Sequence, residues 1–507
     1  MLIQLHGSAV FGVDAHLITL EVNIDKGIGY HLVGLPDNAI KESNFRIAAA
    51  LQNIGYKLPG KKITINMAPA DMRKEGSAYD LPIALGILTA SKQIQAASIS
   101  DYIIMGEIAL DGSLRPIKGA LPIAIQALKD GFKGFILPKE NAEEAAIVKG
   151  IEVYGVSHLT EVMDFFEGKQ TLIPLQLDAR SLFKEQQHNA SLDFSDVKGQ
   201  ETIKRCMEIA AAGGHNVILI GPPGAGKTML AKRLPSILPP MSLGEALETT
   251  KIHSVLGRVK EKGLVHQRPF RSPHHTISDV ALVGGGTYPQ PGEISLAHNG
   301  VLFLDELPEF KRSVLEVMRQ PLEDREVTIA RAKFTVTYPS SFMLVASMNP
   351  SPLGYFHTGT STPIETQRYL AKISGPLLDR IDLHIEVEPV PFEELAKKEL
   401  GESSATIRER VTAARAIQQK RFAEMTNIHY NAQMSPKQLR QYCKLEPTLL
   451  SLLKTAMKKL ALSARAYDRI LKVGRTIADL AYSENILSEH IAEAIQYRSL
   501  DREGWMG

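Results

Sequence analysis

Cysteine is almost absent from this sequence, because the 507 residues include only Cys206 and Cys443. Two cysteines in separate predicted helices provide neither a disulfide framework nor the paired ligands of a zinc site. Their scarcity indicates a reducing compartment, and we expect the protein to be cytoplasmic.

Long hydrophobic runs and a strong excess of charge are missing as well. No apolar stretch approaches the roughly 20 residues that a membrane-spanning helix needs. The N-terminal stretch MLIQLHGSAVFGVDAHLITLEV lacks a basic region and reaches Asp14 early, which argues against a signal peptide. The formal net charge is only +2, so any affinity for nucleic acid must come from local basic clusters.

Hydrophobic patterning divides the chain into three predicted domains and a linker. Residues 1–166 alternate short β-type runs with helical patterns, which predicts an α+β domain. The polar, glutamine-rich residues 167–192 predict a linker, and residues 193–392 predict a second α/β domain that ends at VEPVPFEEL. Residues 393–507 predict a helical domain. Its excess of basic over acidic residues fits either a solvated helical face or a basic surface.

The strongest chemical signal is the stretch VILIGPPGAGKTML. It matches GxxxxGK[ST] and lies between a strand pattern and a helical pattern, as a phosphate-binding loop requires. Its glycines allow a tight turn that directs backbone N–H groups toward phosphates. We expect Lys227 to reach the β- and γ-phosphates of ATP and the Thr228 hydroxyl to bind Mg²⁺. The predicted loop residues are Gly221, Pro222, Pro223, Gly224, Ala225, Gly226, Lys227 and Thr228.

Two carboxylates follow the apolar stretch GVLFL, which predicts a buried strand. Asp305 is the expected partner of Mg²⁺. Glu306 is the candidate general base that orients and polarises the attacking water. Strands often end in acidic residues, so this signal gains its specificity from the phosphate loop.

Three further polar residues are candidates for contact with the γ-phosphate. Asn349 ends the apolar stretch SFMLVASMNP, and a turn-forming asparagine before proline is the alternative reading. Arg380 in GPLLDRIDLHIEV could complete a neighbouring subunit's site as an arginine finger, or it could form a structural salt bridge. Arg465 in SARAYDRILK is an additional candidate phosphate sensor.

In their order and spacing, GPPGAGKT, FLDELPEF, SMNP and GPLLDRID resemble the AAA+ ATPases related to magnesium-chelatase subunit I and the MCM helicases. LDFSDVKGQETIKRCMEIAAAGGHNVILIGPPG and RPFRSPHHTISDVALVGGG resemble the ComM/YifB group of that family, over essentially the whole chain. The resemblance implies a C-terminal helical lid and a homo-hexameric ring with ATP sites between subunits. It also implies a DNA motor for branch migration, and Val197, Gly199 and Gln200 near the adenine.

The same resemblance indicates where DNA would bind. VALVGGGTYPQPGEISLA resembles the insert in helix 2 of this clade, and REVTIARAKFTVTYP resembles the hairpin before sensor 1. Arg331 and Lys333 lie near the predicted hairpin tip and could form rings of positive charge in a pore. Exposed charges that serve only solubility are the alternative.

Relatives carry cysteines after the sensor-1 asparagine, but this chain has none there, so we expect no zinc. His274 and His275 are interpreted as structural.

The stretch KEGSAYDLPIA and the later GEIALDGSLRPIKGALPIAIQALKDGFKGFILPKENAEEA resemble the proteolytic domain of Lon. Lon chemistry needs a serine activated by a lysine amine. The register places the nucleophile position at Ala78 rather than Ser77, and the lysine position at Leu121. Lys118 is three residues away. We therefore predict a Lon-like domain that is inactive as a protease.

Together these observations predict an ATP-driven DNA motor with ATP and Mg²⁺ as cofactors. Its expected partners are single-stranded or branched DNA, further copies of itself and recombination proteins, with no membrane. Two other functions stay open from the sequence. One is a chelatase-type motor that remodels a protein partner, and the other is a Lon-like ATP-dependent protease.

Overall fold

The structure, a computed structural model, describes residues 1–178, 192–259, 263–286, 288–331, 334–352, 363–396, 401–425, 428–460 and 462–498. The chain divides into two compact units. The first unit comprises Met1–Gln187 together with Ser242–His266, and the second comprises His188–Met241 together with Gln267–Gly507.

The first unit is built on a mixed sheet with helices against it. Its strands are β1 (Leu2–Phe11), β2 (Asp14–Asp25), β3 (Gly29–Val33), β4 (Lys62–Ala68), β5 (Tyr102–Ile104), β6 (Glu107–Ile108), β7 (Leu114–Arg115), β8 (Gly134–Pro138) and β9 (Glu152–Val156). Its first helices are α1 (Asn38–Lys41), α2 (Ser43–Asn53), α3 (Asp80–Ala90), α4 (Ala120–Lys129), α5 (Lys139–Ala145) and α6 (Leu159–Phe166).

Strand alternation builds the first sheet. In β2 the side chains of Ile18, Leu20 and Val22 are buried, and the residues between them are less so. The main sheet has the order β3-β4-β2-β1-β5-β8-β9. The β1–β2 and β2–β4 pairs are antiparallel, and the other pairs are parallel. The sheet is therefore antiparallel around β2, where β1 and β4 flank it, and parallel from β1 through β5 and β8 to β9.

Helix α3 follows the stretch that resembles a protease loop, and all of its residues are buried. It packs so closely on β1 and β2 that a Cβ built on Gly86 would lie 2.6 Å from Val22 Cγ2 and 2.8 Å from Leu5 Cδ1. At its start, the buried Asp80 carboxylate accepts two hydrogen bonds from Arg46, at 2.7 and 2.9 Å. Because this central helix is buried on all sides, the stretch DLPIALGILTA shows no amphipathic period.

The second unit begins at the nucleotide-binding fold. Its strands are β10 (Val217–Ile220), β11 (Phe270–Arg271), β12 (Gly284–Gly285), β13 (Gln290–Pro291), β14 (Val301–Leu304), β15 (Glu326–Arg331), β16 (Phe334–Pro339), β17 (Met343–Met348) and β18 (Leu383–Glu386). The remaining helices of the chain, of which α9 belongs to the first unit, are α7 (Glu201–Gly213), α8 (Lys227–Ile237), α9 (Leu243–Val255), α10 (Asp279–Val283), α11 (Glu293–Leu296), α12 (Arg312–Val317), α13 (Arg319–Asp324), α14 (Pro363–Leu370), α15 (Gly375–Leu378), α16 (Phe392–Ala396), α17 (Ser404–Arg421), α18 (Pro436–Tyr442), α19 (Pro447–Lys459), α20 (Ala464–Leu480) and α21 (Ser488–Gln496).

The main sheet of the second unit is parallel throughout, with the order β11-β14-β17-β10-β18. Strands β10, β14 and β17 are completely buried, as expected of a parallel sheet covered on both faces. Ligands of such sheets bind at the carboxyl ends of the strands. The phosphate loop, Asp305-Glu306 and Asn349 follow β10, β14 and β17 at this edge, whereas Arg380 precedes β18.

The C-terminal helices α17, α20 and α21 share one hydrophobic core with α7 and α8. Ile407 and Val411 come from α17, and Ile470 and Ile477 come from α20. This arrangement is the helical lid expected from the sequence. The mixed Lon-like domain, the P-loop domain and the helical domain together confirm the predicted fold class.

The segment Ser242–His266 leaves the second unit after Met241 and packs within the first unit. The N–H of Gly119, which precedes α4, donates to the carbonyl of Ser254 in α9 at 3.0 Å. The Ser254 hydroxyl also donates to Glu144 Oε1 at 2.5 Å, and the same oxygen accepts the Leu121 N–H at 2.8 Å. The sequence carries no pattern that indicates this packing, since α9 has the features of an ordinary helix.

Membrane-spanning helices are not found in the part of the chain that the structure describes, because none of its helices combines the necessary length with the necessary apolar character.

We expect Gly86→Ala to destabilise the first unit. The added methyl would overpack the core at a cost of about 1–3 kcal/mol. The gain in helix propensity is only about 1 kcal/mol, so the net effect is a loss of stability. Scanning calorimetry of the whole protein should show a lower melting temperature for the first unit. Gly60→Ala is the matched control, because a Cβ there meets no atom within 4 Å. Equal melting temperatures for the two variants would contradict the packing described for α3.

Candidate nucleotide-binding site

The phosphate loop follows β10 and ends at the start of α8. Gly221 lies so close to the β18 extension that a Cβ there would be 2.2 Å from the Val387 carbonyl oxygen. Gly224 and Gly226 have φ values of +80° and +87°, which favour glycine. The loop glycines are therefore required by close approach at one position and by backbone conformation at two others.

Lys227 is buried, and its ammonium is surrounded by neutral oxygen acceptors. It donates to the carbonyls of Gly221 and Pro222, at 2.6 and 2.9 Å, and to Asn349 Oδ1 at 3.1 Å. Burial lowers the pKa of Lys227, while the nearby Asp305 and Glu306 carboxylates act in the opposite direction. The structure thus brings together Lys227 and Asn349, which are far apart in the sequence.

Asp305 connects the loop to two strand ends. Its Oδ2 accepts the Thr228 hydroxyl at 2.7 Å, and its Oδ1 accepts the hydroxyl of Ser347. The Glu306 N–H also donates to Asp305 Oδ1, at 3.2 Å. Ser347 was not identified by sequence reasoning. A small polar residue two positions before Asn349 on a buried strand was the signal available for it.

Glu306 has a left-handed backbone conformation, with φ of +55°, directly after β14. Non-glycine residues adopt this region infrequently, and such residues concentrate at functional sites. The Glu306 side chain is 57% exposed, and its Oε2 lies 3.7 Å from His275 Nδ1. The His275 ring stacks against that of His274 at 4.1 Å between centroids. The placement of His275 beside Glu306 had no signal in the sequence, where both histidines were interpreted as structural.

A cavity of about 750 Å³ lies beside the loop, and Val197, Gly199 and Gln200 line it together with Glu388 and Glu394. Gln200 Nε2 donates to the carbonyls of Ala225 and Glu388, at 2.9 and 3.2 Å. Its Oε1 is buried and has no hydrogen-bond partner among the described residues. An orphaned acceptor on the wall of a cavity fits the exocyclic amine of an adenine base.

The residues present also fit a polyphosphate and Mg²⁺. A buried ammonium with only neutral oxygen partners favours an anion such as phosphate. The Thr228 hydroxyl and the Asp305 carboxylate supply the oxygen ligands that Mg²⁺ prefers, and they already contact each other.

Arg380 and Arg465, the two arginines predicted to contact a γ-phosphate, make no hydrogen bond to Lys227, Thr228 or Asp305 among the described contacts. Arg380 donates to the Pro376 carbonyl at 2.5 Å and pairs with Glu323, and its side chain is 12% exposed. Arg465 pairs with Asp379, the residue before Arg380, at 3.0 Å. In this conformation both arginines therefore contact acidic groups of their own subunit rather than the phosphate loop.

The two predicted hairpins pack on each other. Strand β15 pairs with β16 in an antiparallel hairpin, and β12 pairs with β13 in the helix-2 insert. The Tyr338 hydroxyl of β16 donates to the Pro289 carbonyl of the insert at 2.6 Å. A Cβ on Gly285 would lie 3.0 Å from the exposed Arg331 guanidinium. The hairpin prediction is confirmed, whereas Lys333 lies outside the described residues.

The Lon-like domain shows no serine–lysine pair among its described residues. The Ser77 hydroxyl donates to the Glu107 carboxylate. Leu121, at the position of Lon's lysine, is completely buried, and Lys118 is exposed. The buried Lys74 ammonium donates instead to the carbonyls of Gly34 and Pro69. This arrangement supports a proteolytic fold without the catalytic base.

Metal-binding clusters of three or more histidine, cysteine or acidic side chains are not found in the described ranges. The segment after Asn349 in which relatives carry cysteines falls mostly on residues 353–362, outside those ranges.

Fold and site together define a P-loop ATPase of the AAA+ type with a helical lid. Family profiles agree. "Magnesium chelatase, subunit ChlI" matches residues 193–395, "Subunit ChlI of Mg-chelatase" matches 20–141, and "Magnesium chelatase, subunit ChlI C-terminal" matches 401–498.

Full-length relatives identify the family. The chain is 48% identical to "Uncharacterized protein YifB" of Escherichia coli K12, over 98% of this chain and 97% of the relative. It is 46% identical to "Competence protein ComM" of Haemophilus influenzae, with the same coverage. The chain therefore belongs to the YifB/ComM family of magnesium-chelatase-like AAA+ ATPases. A region of 150 residues is 31% identical to "Lon protease 2" of Bacillus subtilis, covering 28% of this chain and 27% of that protein.

We expect Thr228→Ala to weaken ATP binding only when Mg²⁺ is present. The variant loses a metal-ligating hydroxyl and the hydrogen bond to Asp305, so affinity with Mg²⁺ should fall at least about tenfold. Fluorescent-nucleotide titrations with Mg²⁺ and with EDTA measure the difference. Thr228→Ser keeps the hydroxyl and should bind like the wild type. An equal loss of affinity in EDTA would show that Thr228 acts on the nucleotide without the metal.

Proposed function

We propose that this protein is an ATP-driven motor that moves DNA, working as a homo-hexamer in branch migration or unwinding during recombination and natural transformation. The observation that carries the proposal is the pair of packed hairpins in the P-loop unit. The exposed Arg331 ends one of them beside the glycines of the other. A hairpin with a basic residue near its tip, supported by a second hairpin, suits a sequence-neutral grip on a phosphate backbone.

The chemistry of hydrolysis follows from the groups around Asp305. Mg²⁺, held by Thr228 and Asp305, would neutralise the charge that develops on the phosphates. Lys227 binds the β- and γ-phosphates of the substrate, and Asn349, which already contacts Lys227, senses the γ-phosphate. Glu306 takes the proton of the attacking water and orients that water in line with the bond that breaks.

Arg380 would complete the site of the adjacent subunit. It lies on the same unit as the phosphate loop but contacts Glu323 and Pro376. A finger supplied by a neighbour explains this position, since such an arginine must reach another subunit's nucleotide. Ring assembly and activity are then coupled, because a lone subunit lacks one of the groups that stabilise the transition state.

The biological setting is proposed from the relative of Haemophilus influenzae, whose printed name is "Competence protein ComM". Recombination proteins are the expected partners, and the cytoplasm is the expected site of action for a motor on chromosomal DNA. A chelatase-type motor would share the ATPase site but would not respond to DNA.

We expect Glu306→Gln to lower the ATPase kcat by about 100-fold or more while ATP still binds. The amide keeps the shape of the side chain but cannot accept a proton. ATPase rates of the wild type should rise when single-stranded or branched DNA is added. Glu309→Gln, a change at an exposed carboxylate three residues later, should behave like the wild type. A wild-type rate that no DNA changes would contradict the DNA motor and favour the chelatase-type alternative.

Replacing Arg331 and Lys333 together with alanine should raise the Kd for single-stranded DNA by about tenfold or more. The logarithmic salt dependence should become shallower by roughly one for each phosphate contact that is lost. Fluorescence anisotropy at several salt concentrations measures both effects. The matched control replaces Lys437 and Arg440, two exposed cations of α18, with alanine. If the control weakens binding equally, the DNA contacts lie elsewhere.

A further inference from the structure

Helix α20 carries a polar stripe along one face. Its Arg465, Arg469 and Thr476 contact the nucleotide-binding fold, and its Lys472 and Asp479 contact other residues of the C-terminal region. The spacing of Arg465, Arg469, Lys472, Thr476 and Asp479 places these residues on one side of a helix. Thr476 and Asp479 are completely or almost completely buried, and Lys472 is 9% exposed. An apolar stripe is the usual solution for such a face, so each polar residue needs a partner.

The partners of the first two arginines flank Arg380. Arg465 pairs with Asp379 at 3.0 Å, and Arg469 pairs with Asp382 Oδ1 at 3.0 Å. The two arginines are one helical turn apart, and the two aspartates are the residues one before and two after Arg380. The lid helix therefore contacts the short loop of the proposed finger on both sides.

Asp382 is the buried centre of this contact, with 1% of its side chain exposed. Burial alone would raise the pKa of Asp382. The positive charge of Arg469, the hydrogen bond with His215 and the charge of Lys472 outweigh that effect and hold the pKa below its ordinary value. Burial also lowers the pKa of His215, whereas the neighbouring Asp382 acts in the opposite direction. The cations that balance the buried Asp382 carboxylate thus come from α20.

The loop is also fixed to the sheet that holds the phosphate site. His215 Nδ1 lies 3.2 Å from Asp382 Oδ2, and its Nε2 lies 2.8 Å from Thr476 Oγ1. Asn216, the residue before β10, donates through its side chain to the Arg380 carbonyl at 3.1 Å. Its backbone carbonyl accepts the N–H of Asp382 at 3.0 Å.

We propose that Arg469 is a positioning residue that, through Asp382, links the lid helix α20 to the Arg380 loop, so that the position of the lid sets the position of the finger. The inference rests on the proposed role of Arg380 in hydrolysis. Arg469 joins the lid helix to the loop through an ion pair with the buried Asp382 carboxylate. Arg465 and Asp379 form an exposed pair, with 63% of the arginine side chain accessible, and contribute less because solvent screens them.

The expected effect of Arg469→Ala is a misplaced finger in an otherwise intact site. The ATPase kcat should fall by about 10- to 100-fold, since small displacements of a catalytic group cost this much. The KM for ATP should stay nearly constant, because neither the phosphate loop nor the Gln200 cavity is touched. Arg469→Lys keeps the charge opposite Asp382 and should recover most of the activity.

Hydrogen–deuterium exchange of the full-length hexamer tests the link without any reference to activity. The N–H groups of Ile381, Asp382 and Leu383 are held by hydrogen bonds to Leu378 and Asn216. Their exchange should be faster in Arg469→Ala and in Asp382→Asn, and unchanged in Arg469→Lys. Arg440→Ala is the matched control, because Arg440 is an exposed arginine of α18 that contacts its own helix.

The Arg380→Ala variant distinguishes the proposed catalytic role of Arg380 from the proposed positioning role of Arg469. If Arg469 acts through Arg380, the double variant should be no slower than Arg380→Ala alone. Additive losses would overturn the inference, as would unchanged exchange of the loop in Arg469→Ala. If Arg380→Ala leaves kcat unchanged, its proposed catalytic role fails, and the exchange experiment alone decides whether α20 fixes the loop. A third outcome would also overturn the inference about Arg469. If Arg469→Ala no longer forms the hexamer while Arg469→Lys and Asp382→Asn assemble normally, the role of Arg469 is in assembly.

Discussion

The hydrogen bonds of Asp305 are the interaction on which the nucleotide site depends. One carboxylate joins the helix after the phosphate loop, through Thr228, and the neighbouring strand, through Ser347. Asp305 can bind both groups because β10, β14 and β17 run parallel and end at one edge of the sheet. The position of Glu306 follows from it, since the Glu306 N–H also binds Asp305. The backbone position of Glu306 is therefore fixed together with that of Asp305.

The buried charges of Asp382 and Lys227, both in the second unit, have different kinds of partner. Asp382 has cations from α20 and a hydrogen bond with His215, so its charge is balanced within the protein. The described hydrogen bonds of Lys227 go to carbonyl and amide oxygens, and the Asp305 and Glu306 carboxylates lie nearby without such a bond. A buried charge that is not hydrogen-bonded to an anion is costly. The difference favours a structural role for Asp382 and a binding role for Lys227, which phosphate oxygens could contact directly.

The sequence was sufficient for the parts of the site that follow one another along the chain. The phosphate loop and Asp305-Glu306 each follow an apolar run, so their element and their place at its end were predictable. Gln200 could be assigned by resemblance. Ser347, His275 and Asn216 could not be found in this way, because their contacts are with residues 41, 31 and 164 positions away in the chain. The same is true of the partners of Arg465 and Arg469, which are set by how α20 packs.

The first unit resembles a Lon protease in sequence but has a leucine, Leu121, at the position of Lon's lysine. At the position of Lon's lysine the side chain of Leu121 is buried, and its N–H binds Glu144 Oε1, which also accepts the Ser254 hydroxyl. Burial raises the pKa of Glu144, and the two hydrogen bonds oppose that shift, so the carboxyl is held by the groups that surround it. A lysine at 121 would bring an amine to a completely buried position. The start of α4, which serves catalysis in a protease, instead binds a segment that is continuous in sequence with the phosphate-loop helix. A buried leucine and the contact with Ser254 thus occupy the place where Lon chemistry needs an amine, so the protease-like sequence has no serine–lysine pair among the described residues.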